Sequence, residues 1–509
     1  MLRLIDGFLN RTTMYRLVLY VLAVLWIVAF AFSVIGVLPF DPIGLLLAAL
    51  VLLGVSFVTN EVFARVFKTS TNIESVYITA FILALIVAPP KLSEFVAYLP
   101  FLIIVSVIAI ASKYILAVNK KHLFNPAALA VAVTAAFLNQ SASWWIGGNF
   151  TMLPFVLIGG FLIVKKIQRW DLVLSFAAGA FVSVAVSNYL RGFSPIDGIQ
   201  KAVLHSPLLF FAFVMITEPL TTPPTRRLRM WYGALVGLVF SPWVHVGSVY
   251  STPELALLVG NAFSYIVSPK GKFVLKLKEK LKLTPTTYDF LFTGNRMKFR
   301  PGQYLEWTLG HMHPDNRGNR RYFTIASSPT EKELRLGLKF YPNSSSFKRT
   351  LLAMEPGGEI MAGQLAGDFV LPADPKQKLA FIAGGIGVTP YRSMLKYLID
   401  TNENRDIVHF YSNRDATEIV YRDIFDEAEK MFGIKTVYLL NDVKELPLGW
   451  QGYNAMLNPD IVKKETPDYL ERTFYISGPH SMIMGLENML QSMGVPRRQI
   501  KTDFFPGFA

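Results

Sequence analysis

The sequence predicts a multidomain fold: a polytopic α-helical membrane bundle of about ten helices with an internal inverted repeat, then an antiparallel β-barrel, then an α/β domain with a parallel sheet. Residues 1–268 carry 17 Lys/Arg and 9 Asp/Glu among long apolar segments, whereas residues 269–509 carry 33 and 27, as a water-soluble domain does. In this second half a strand-rich stretch precedes one in which strands and helices alternate. We therefore predict a membrane domain over residues 1–268, a barrel over 271–373 and an α/β domain over 374–509.

The composition excludes several classes of site and partner. The formal charge of +14 divides into +8 and +6 over the same halves, and most cations of the first half lie in short loops beside apolar segments. This pattern favours a lipid bilayer as the partner and no nucleic acid. The chain has no cysteine, which excludes disulfides, thiolate zinc sites and ordinary iron–sulfur clusters within it. The three histidines of residues 1–268 share no predicted helix, which argues against haem. We predict no metal site.

Ten apolar segments predict the membrane topology. Placing most Lys and Arg clusters inside gives a consistent alternation with an even number of spans. This predicts a multi-pass protein of the inner (cytoplasmic) membrane with its soluble domains on the cytoplasmic side. The third, fifth and eighth segments are shorter than the roughly 20 residues of a straight span, so we expect broken helices there. In chain order the segments are 16–38, 44–64, 75–89, 95–112, 124–138, 151–164, 171–190, 204–220, 231–247 and 253–268.

Two stretches have the pattern of interrupted helices. Ser70–Pro90 has a polar opening, an apolar run and a double proline, and Phe211–Thr225 contains an acid, four threonines and three prolines. Non-helical backbone is tolerated at membrane depth where it is buried or lines a cavity. Paired interruptions therefore indicate an internal repeat with a central site. Two membrane-surface loops that end at prolines are the alternative.

Four stretches in this half carry a resemblance. They are KHLFNPAALA at 121–130, WWIGGN at 144–149, ITEPLTTPPT at 216–225 and PELALLVGNAF at 253–263. They resemble the ten-helix membrane flavin protein that Rnf complexes share with sodium-pumping NADH:quinone reductase. The resemblance implies an FMN joined to a threonine of a Ser-Gly-Ala-Thr motif. The corresponding loop, Phe193–His205, contains no threonine. A non-covalent FMN or riboflavin, or an empty site, are therefore the alternatives.

The candidate residues of this membrane site are polar side chains in the same stretches. Threonine hydroxyls often bond only to their own helix or cap it, which is the alternative for each threonine. Glu218 is an acid inside a membrane segment, which also keeps an ion-translocating pump or transporter open. The candidates are Asn125, Thr217, Glu218, Thr221, Thr222 and Thr225.

In the soluble half, the stretch Arg320–Pro329 reads RRYFTIASSP. Arg321 can make a forked contact with a phosphate. Phe323 and Thr324 alternate in strand fashion and offer an aromatic face and a hydroxyl. This combination suits a flavin nucleotide. Alone it is a weak signal, because an arginine and an aromatic are common in the wall of a β-barrel.

Two later motifs make the signal specific. Leu379–Pro390 reads LAFIAGGIGVTP, and Thr473–Pro479 reads TFYISGP. With RRYFT before them, their order and spacing resemble the ferredoxin–NADP reductase family of flavoproteins over most of residues 269–509. The resemblance implies FAD in the barrel and NADH or NADPH on the α/β domain. Glycines allow the backbone to approach a dinucleotide closely.

The resemblance implies a role for each matching residue. Arg321 holds the FAD pyrophosphate, Phe323 covers the flavin ring and Thr324 reaches flavin N5. Ser477 stands where many members have a cysteine beside the nicotinamide, so Thr324 and Ser477 are the candidate catalytic residues. The other cofactor-binding candidates are Tyr322, Ser345, Ser346, Gly384, Gly385, Gly387, Val388, Thr389, Pro390, Ser412, Arg414, Gly478, Pro479, Phe505 and Phe508.

Five of these candidates have plain alternatives. Ser345 and Ser346 open a short helix whose N-terminus suits a phosphate, although an N-cap explains one serine equally well. Arg414 suits the 2′-phosphate of NADPH, with solvent-exposed pairing as the alternative. Phe505 and Phe508 suit an aromatic that closes over the flavin, with core packing as the alternative.

The predicted function is that of a membrane-bound flavin oxidoreductase. Electrons pass from NAD(P)H through FAD to a flavin in the membrane domain, or to an unidentified acceptor that is a quinone or a membrane or soluble redox protein. Two alternatives stay open. One is an ion-translocating redox pump or transporter, and the other is a membrane-anchored reductase of a soluble partner with a redox-inactive bundle.

Overall fold

The structure is a computed structural model of the chain. It describes residues 8–9, 12–67, 73–118, 121–268, 273–294, 297–311, 315, 318–441 and 446–503. The chain divides into two compact units, residues 1–272 and 273–509. We call the first the helical unit and the second the sheet unit.

The helical unit combines long and short apolar helices. The helices are α1 Met14–Val34, α2 Pro42–Val66, α3 Ile73–Ile86, α4 Phe95–Ile115, α5 Pro126–Leu138, α6 Leu153–Ile167, α7 Trp170–Leu190, α8 Pro195–His205, α9 Leu208–Phe210, α10 Arg226–Val239 and α11 Pro253–Val267. In the described part of the chain, five of them are long and apolar enough to cross a membrane: α1, α2, α7, and α4 and α6 with the short turns before them. This is the composition of a membrane protein. The predicted number of ten spans is not confirmed, because α3, α5 and α11 have only 14, 13 and 15 residues.

The break between α8 and α9 corrects two expectations. The sequence analysis places a loop at Phe193–His205 and one apolar segment at 204–220. Instead most of that loop is helix α8, because Ser194 caps it with its hydroxyl and a proline fits its first turn. Helix α9 continues as a π-helix, Phe211–Met215, and the axis bends by 68° between α8 and this segment. Single π-helical turns occur often at functional sites.

Helix α10 packs on α7 through glycines. It begins before the predicted segment 231–247 and ends at Val239, so the second half of that segment is not helical. A Cβ on Gly237 would lie 2.2 Å from the carbonyl oxygen of Phe176, and a Cβ on Gly179 would lie 2.5 Å from a carbonyl oxygen of α10. The two helix backbones therefore touch, as small residues permit between membrane helices.

The sheet unit begins with six antiparallel strands. They are β1 Phe273–Lys282, β2 Thr287–Thr293, β3 Tyr304–Thr308, β4 Arg320–Thr324, β5 Leu334–Lys339 and β6 Glu359–Ala366, with helix α12 Ser346–Ala353 between the last two. Their order across the sheet is β4-β3-β6-β1-β2-β5. In β1, Leu275 and Leu277 enter the hydrophobic core while Lys276 and Lys278 are exposed. This alternation is what a strand with one covered face requires.

A six-stranded parallel sheet with helices on both faces follows. Its strands are β7 Leu379–Gly384, β8 Ile407–Asn413, β9 Lys435–Leu440, β10 Tyr453–Asn454, β11 Thr473–Ser477 and β12 Ile500–Thr502, and its helices are α13 Thr389–Thr401, α14 Arg422–Phe432, α15 Pro459–Glu465 and α16 His480–Ser492. The order is β10-β9-β8-β7-β11-β12. Strand β7 is buried at every residue, as a central parallel strand should be. The predicted β and α/β folds are confirmed at this level. Closure of the first sheet into a barrel, and a boundary at residue 373, stay predictions.

Candidate functional sites

Three adjacent strands of the parallel sheet end together. Ala383 pairs with Ser477, and Gly384 pairs with Ser412. The carboxyl ends of β7, β8 and β11 therefore carry residues that the sequence analysis selects. Ligands of open α/β sheets bind beside such strand ends.

The turn after β7 brings main chain close to main chain. Gly385 has a φ of +53°, a left-handed value that favours glycine. A Cβ on Gly387 would lie 2.5 Å from the carbonyl oxygen of Ser477. One 3-10 turn, Gly385–Val388, then leads into α13, which begins at Thr389 and has a proline in its first turn. A side chain at the Gly387 position would force this turn away from the end of β11.

The neighbouring strand ends supply the remaining candidates of the parallel sheet. Ser412 donates a hydrogen bond to Oδ1 of Asn441 at 2.9 Å. Arg414 is exposed just after β8, so both of its predicted roles stay open. Gly478 and Pro479 connect β11 to α16. Together with the glycine turn they form one edge of the sheet.

A buried carboxyl group joins the two sheets. Ser477 donates from Oγ to Oδ2 of Asp503 over 3.0 Å, and the side chain of Thr324 in the antiparallel sheet lies near enough to lower the pKa of this carboxyl. Burial raises the pKa of Asp503 to about 7, although the polar side chains of Ser477 and Thr324 act in the opposite direction. The two candidate catalytic residues therefore meet at a group that changes its protonation near neutral pH.

Strand β4 and helix α12 both contact the carboxylate of Asp315. Arg321 is 1% exposed and its side chain lies 3.6 Å from the Asp315 carboxylate. It also donates from Nη1 to the carbonyl oxygens of Gly318 and Arg320. The other oxygen of the same carboxylate accepts from the main-chain nitrogen of Ser346 at 2.9 Å, at the start of α12. A carboxylate thus lies between a guanidinium and a helix N-terminus, where phosphates commonly bind.

The other candidates of this group have structural partners. Ser345 caps α12 by accepting from a main-chain amide, which is its plain alternative. Tyr322 donates from its hydroxyl to Oε2 of Glu306 at 2.7 Å. Phe323 lies in the hydrophobic core of the antiparallel sheet, with its ring 6.0 Å from that of Phe347. The proposed contact of Phe323 with the flavin ring stays a prediction.

In the helical unit, a polar cluster surrounds Glu218. Its Oε1 lies 3.1 Å from Nε2 of His122. Its Oε2 accepts from Nδ2 of Asn125 at 2.9 Å and from Oγ1 of Thr221 at 3.1 Å. The main-chain nitrogen of Asn125 donates to Oδ1 of Asn261 at 2.8 Å. We call these five residues the Glu218 cluster. It joins three of the four stretches that carry the resemblance.

Part of the Glu218 cluster borders a cleft. The cleft is lined by α1, α3, α5, α6 and the π-helical segment with the residues that follow it. Most of its lining is apolar, and its polar side chains include Ser75, Thr79, Asn125, Thr217 and Glu218. An apolar cleft with a few convergent polar groups is the usual form of a small-molecule site.

The other three threonines differ in their surroundings. Thr217 donates to two carbonyl oxygens of its own helix, which is the back-bonding alternative, although it also lines the cleft. The Thr222 hydroxyl accepts from Arg169 and donates to the carbonyl oxygen of Glu218 at 3.1 Å. Thr225 precedes α10 without a side-chain cap and lies outside the Glu218 cluster.

Sequence reasoning missed several of these residues: Asp503, His122, Asn261 and Asp315. Asp503 follows the last strand, and an acid at a strand end beside a motif is the signal that indicates it. His122 lies three residues before Asn125, inside a stretch already selected for its resemblance. Phe505 and Phe508, also selected from the sequence, lie outside the described residues.

Family models match parts of both halves of the chain. Residues 136–269 match the NQR2, RnfD, RnfE family, and residues 381–488 match the oxidoreductase NAD-binding domain. The chain joins an NQR2/RnfD/RnfE-type membrane segment to a ferredoxin reductase-type NAD-binding domain. The two resemblances stated from the sequence are therefore confirmed.

Curated relatives resemble the sheet unit. The glycine betaine monooxygenase reductase subunit of Pseudomonas aeruginosa (strain UCBPP-PA14) is 27% identical over 228 residues, which are 44% of this chain and 62% of that protein. The stachydrine N-demethylase reductase subunit Stc4 of Rhizobium meliloti is 28% identical over 233 residues, which are 44% of this chain and 65% of that protein. The chain thus spans less than two thirds of the length of these relatives. The solved cytochrome P450 reductase GcoB of Amycolatopsis is 20% identical over 46% of this chain and 69% of its own, with a TM-score of 0.41.

Proposed function

We propose that this protein is a membrane-bound oxidoreductase that takes electrons from NADH or NADPH onto FAD in the sheet unit. The observation that carries the proposal is the meeting of Thr324 and Ser477 at Asp503. Thr324 belongs to the flavin motif, and Ser477 belongs to the motif on the nicotinamide side. One buried carboxyl group therefore lies where the reacting ends of both cofactors have to meet.

The residues present fit both cofactors. The Asp315 carboxylate lies between Arg321 and the start of α12, and a pyrophosphate offers the same charge to the same donors. The missing side chain at Gly387 allows the glycine turn to approach the end of β11, as a dinucleotide cradle requires. When bound, FAD accepts a hydride from the nicotinamide and releases electrons one at a time.

The side chains of the protein bind, orient and hold a proton. Arg321 and the amide at the start of α12 would hold the pyrophosphate. The Thr324 hydroxyl would lie on the flavin side and the Ser477 hydroxyl on the nicotinamide side. Asp503, with a pKa of about 7, holds a proton on a carboxyl group that accepts a hydrogen bond from Ser477 and lies near the Thr324 side chain. Proton exchange near the reacting ring then needs no bulk water.

Anaerobic mixing of the detergent-purified full-length protein with NADH or NADPH tests this proposal. The flavin absorbance should bleach within seconds with one of the two donors. Extraction and chromatography should identify FAD among the flavins released. A protein that carries FAD but is not bleached by either donor would contradict the proposal.

Electrons then pass to a flavin in the helical unit or to another membrane or protein acceptor. The cleft beside the Glu218 cluster supports this step, because it offers an apolar volume with a few polar contacts. Flavin content before and after acid precipitation separates the outcomes. FAD plus FMN or riboflavin per chain supports a flavin in this cleft, and flavin in the pellet means covalent attachment. A single releasable FAD places the acceptor outside the chain.

An ion-translocating redox pump is the second candidate function. The pairing of Glu218 with His122 favours it, because a partly buried acid beside an imidazole in a membrane unit is a common place to bind a proton or cation. Turnover of the protein in sealed liposomes should then depend on sodium or on the proton gradient. Turnover that ignores both would favour simple electron transfer.

The proposal also predicts the side of the membrane on which the sheet unit lies. NADH and NADPH are cytoplasmic, so the sheet unit should face the cytoplasm, as the distribution of Lys and Arg predicts. A protease added to inverted membrane vesicles should cut the sheet unit. In right-side-out vesicles the sheet unit should be protected, and cutting there would overturn this orientation.

A further inference from the structure

The first turns of α13 contact the loop that follows β4. Arg392 is 4% exposed and Ser393 is fully buried. Arg392 donates from Nη1 to the carbonyl oxygen of Ala326 at 2.8 Å, and Ser393 donates from Oγ to the carbonyl oxygen of Ser327 at 2.6 Å. These two carbonyl groups come two and three residues after Thr324. The helix that begins at the nicotinamide-side glycine turn is therefore bonded directly to the flavin-side loop.

Glu331 completes this contact from the loop side. It forms a forked pair with Arg392, with Nη1–Oε2 at 2.7 Å and Nη2–Oε1 at 3.0 Å. Oε2 also accepts from the main-chain nitrogen of Ser328 at 2.6 Å. Burial alone would raise the pKa of Glu331, but the hydrogen bonds and charge of Arg392 outweigh it and hold that pKa below its ordinary value. The pair stays ionised at neutral pH, and its planar fork fixes the geometry on both sides.

Other contacts also dock the two sheets. Tyr421, just before α14, donates from its hydroxyl to Oδ1 of Asp289 in β2 at 2.5 Å, while Oδ2 accepts from Nη1 of Arg335 in the same antiparallel sheet at 2.6 Å. A Cβ on Gly337 would lie 2.5 Å from the Tyr421 hydroxyl, so the two sheets approach closely here as well. Docking of the sheets therefore does not depend on Arg392 alone. Arg392 differs from these contacts because it holds the loop that follows Thr324.

We propose that Arg392 is a positioning residue for hydride transfer: by bonding α13 to the loop after Thr324, it sets the spacing between the nicotinamide turn and the flavin-side strand. This inference rests on the proposed function. Arg392 acts through Glu331 and the loop backbone. Hydride transfer falls steeply when donor and acceptor are misplaced, and a misplacement of about 1 Å can cost about a hundredfold in rate. Loss of this contact should therefore slow the transfer more than it weakens cofactor binding.

The test compares R392M and R392K with K396M in the full-length protein. Lys396 is a control on the same helix, since it lies one turn farther along α13 and contacts Asp400 through Oδ1, while the bond from Thr330 of the loop to Oδ2 of Asp400 does not involve the lysine. In R392M we expect flavin reduction by the preferred donor to slow by about tenfold or more, with FAD content and the KM for the donor within about twofold of wild type. R392K keeps the charge and loses the fork, so its rate should lie between the two. K396M should behave as wild type.

A second readout is independent of the cofactors. In flavin-free protein, hydrogen exchange of the amides in residues 326–331 should be faster in R392M and unchanged in K396M. Reduction at the wild-type rate in R392M overturns the proposal, and so does a slow rate without faster exchange. If R392M does not fold, R392K decides, and wild-type rate and exchange in that variant overturn the proposal. If the wild-type protein is reduced by neither NADH nor NADPH, the proposed function fails instead.

Discussion

Each unit of this protein has a carboxyl group among polar partners at its candidate site, and the partners differ in kind. In the sheet unit, Asp503 is met by the hydroxyls of Ser477 and Thr324. In the helical unit, Glu218 is met by an imidazole, an amide and a hydroxyl. Neutral hydroxyls leave a buried carboxyl with a raised pKa, whereas an imidazole can share a proton or a charge with it. We therefore expect the carboxyl group of Asp503 to hold a proton and that of Glu218 to share a proton or a charge with His122.

The two units also differ in what holds them together. The helical unit relies on direct contact of helix backbones at glycines, and the sheet unit relies on buried polar contacts between its two sheets. Backbone contact tolerates no added volume. Polar contacts tolerate volume but depend on charge and geometry. The same substitution, such as glycine to alanine, should therefore affect the helical unit and the sheet unit differently.

Added volume should have its largest effect at Gly237. The Cβ of G237A would lie 2.2 Å from the carbonyl oxygen of Phe176, so α7 and α10 must separate. We expect a destabilisation of about 3 kcal/mol, at the upper end for overpacking. The measurement is the thermal midpoint of tryptophan fluorescence in detergent. The control is G54A in α2, where nothing lies within 4 Å of the new Cβ. Equal midpoints for the two variants would show that the helices do not rely on this contact.

In the sheet unit, the corresponding substitution is G387A. Its Cβ would lie 2.5 Å from the carbonyl oxygen of Ser477, so the glycine turn must move away from β11. We expect kcat/KM for NADH or NADPH to fall by about a hundredfold, or about 2.7 kcal/mol, while FAD stays bound. G485A in α16 is the control, because its Cβ meets open space. Unchanged kinetics in G387A would separate the glycine turn from nicotinamide binding.

The raised pKa of Asp503 predicts how stability changes with pH. The pKa is about 7 in the folded protein and near 4 in the unfolded chain, so the neutral form stabilises the fold. This contribution is fully present below about pH 4 and is lost as pH rises through 7. Between pH 5.5 and 7 the loss should be about 2 kcal/mol. D503N cannot ionise, so its melting temperature should fall less than that of wild type from pH 5.5 to 8.5.

The control for that experiment is D423N, because Asp423 is exposed on α14. Its melting temperature should follow wild type over the whole range. Parallel curves for wild type and D503N would mean that Asp503 is ionised in the folded protein throughout. Asp503 and Glu218 would then differ less in their protonation than the structure indicates.

The sheet-unit site is largely predictable from sequence because its residues lie together along the chain. The glycine turn from Gly384 to Pro390 occupies one strand end and the start of one helix, so local spacing already encodes its shape. Asp503 escapes prediction because it meets Ser477 across 26 residues and through a strand pairing that no motif marks. Which side chain reaches a strand end depends on packing.

The helical-unit site is less predictable for a related reason. Asn125 and Glu218 can be selected one by one from resemblance, but their hydrogen bond spans 93 residues. Glu218 follows the π-helical segment, in a stretch where the sequence predicts an interrupted helix but does not show which residues it approaches. Hydropathy also counts α3, α5 and α11 as spans, since it measures apolar character and not helix length. A count of apolar segments therefore exceeds the five long helices of the described chain.

The most direct test of the comparison between Asp503 and Glu218 is to replace Glu218 by glutamine, which removes the charge and keeps the shape of the side chain. E218Q should slow the reduction of decylubiquinone, used as a membrane-soluble probe, by about tenfold. NAD(P)H-dependent reduction of ferricyanide, which takes electrons directly from the sheet unit, should not change. E254Q is the control, because Glu254 is more deeply buried than Glu218, accepts from Trp144 and does not line the cleft. If E218Q leaves both acceptors unaffected, the helical unit lies off the electron path, and its carboxylate serves ion binding or structure. A loss with decylubiquinone alone would place Glu218 between the FAD and the membrane acceptor.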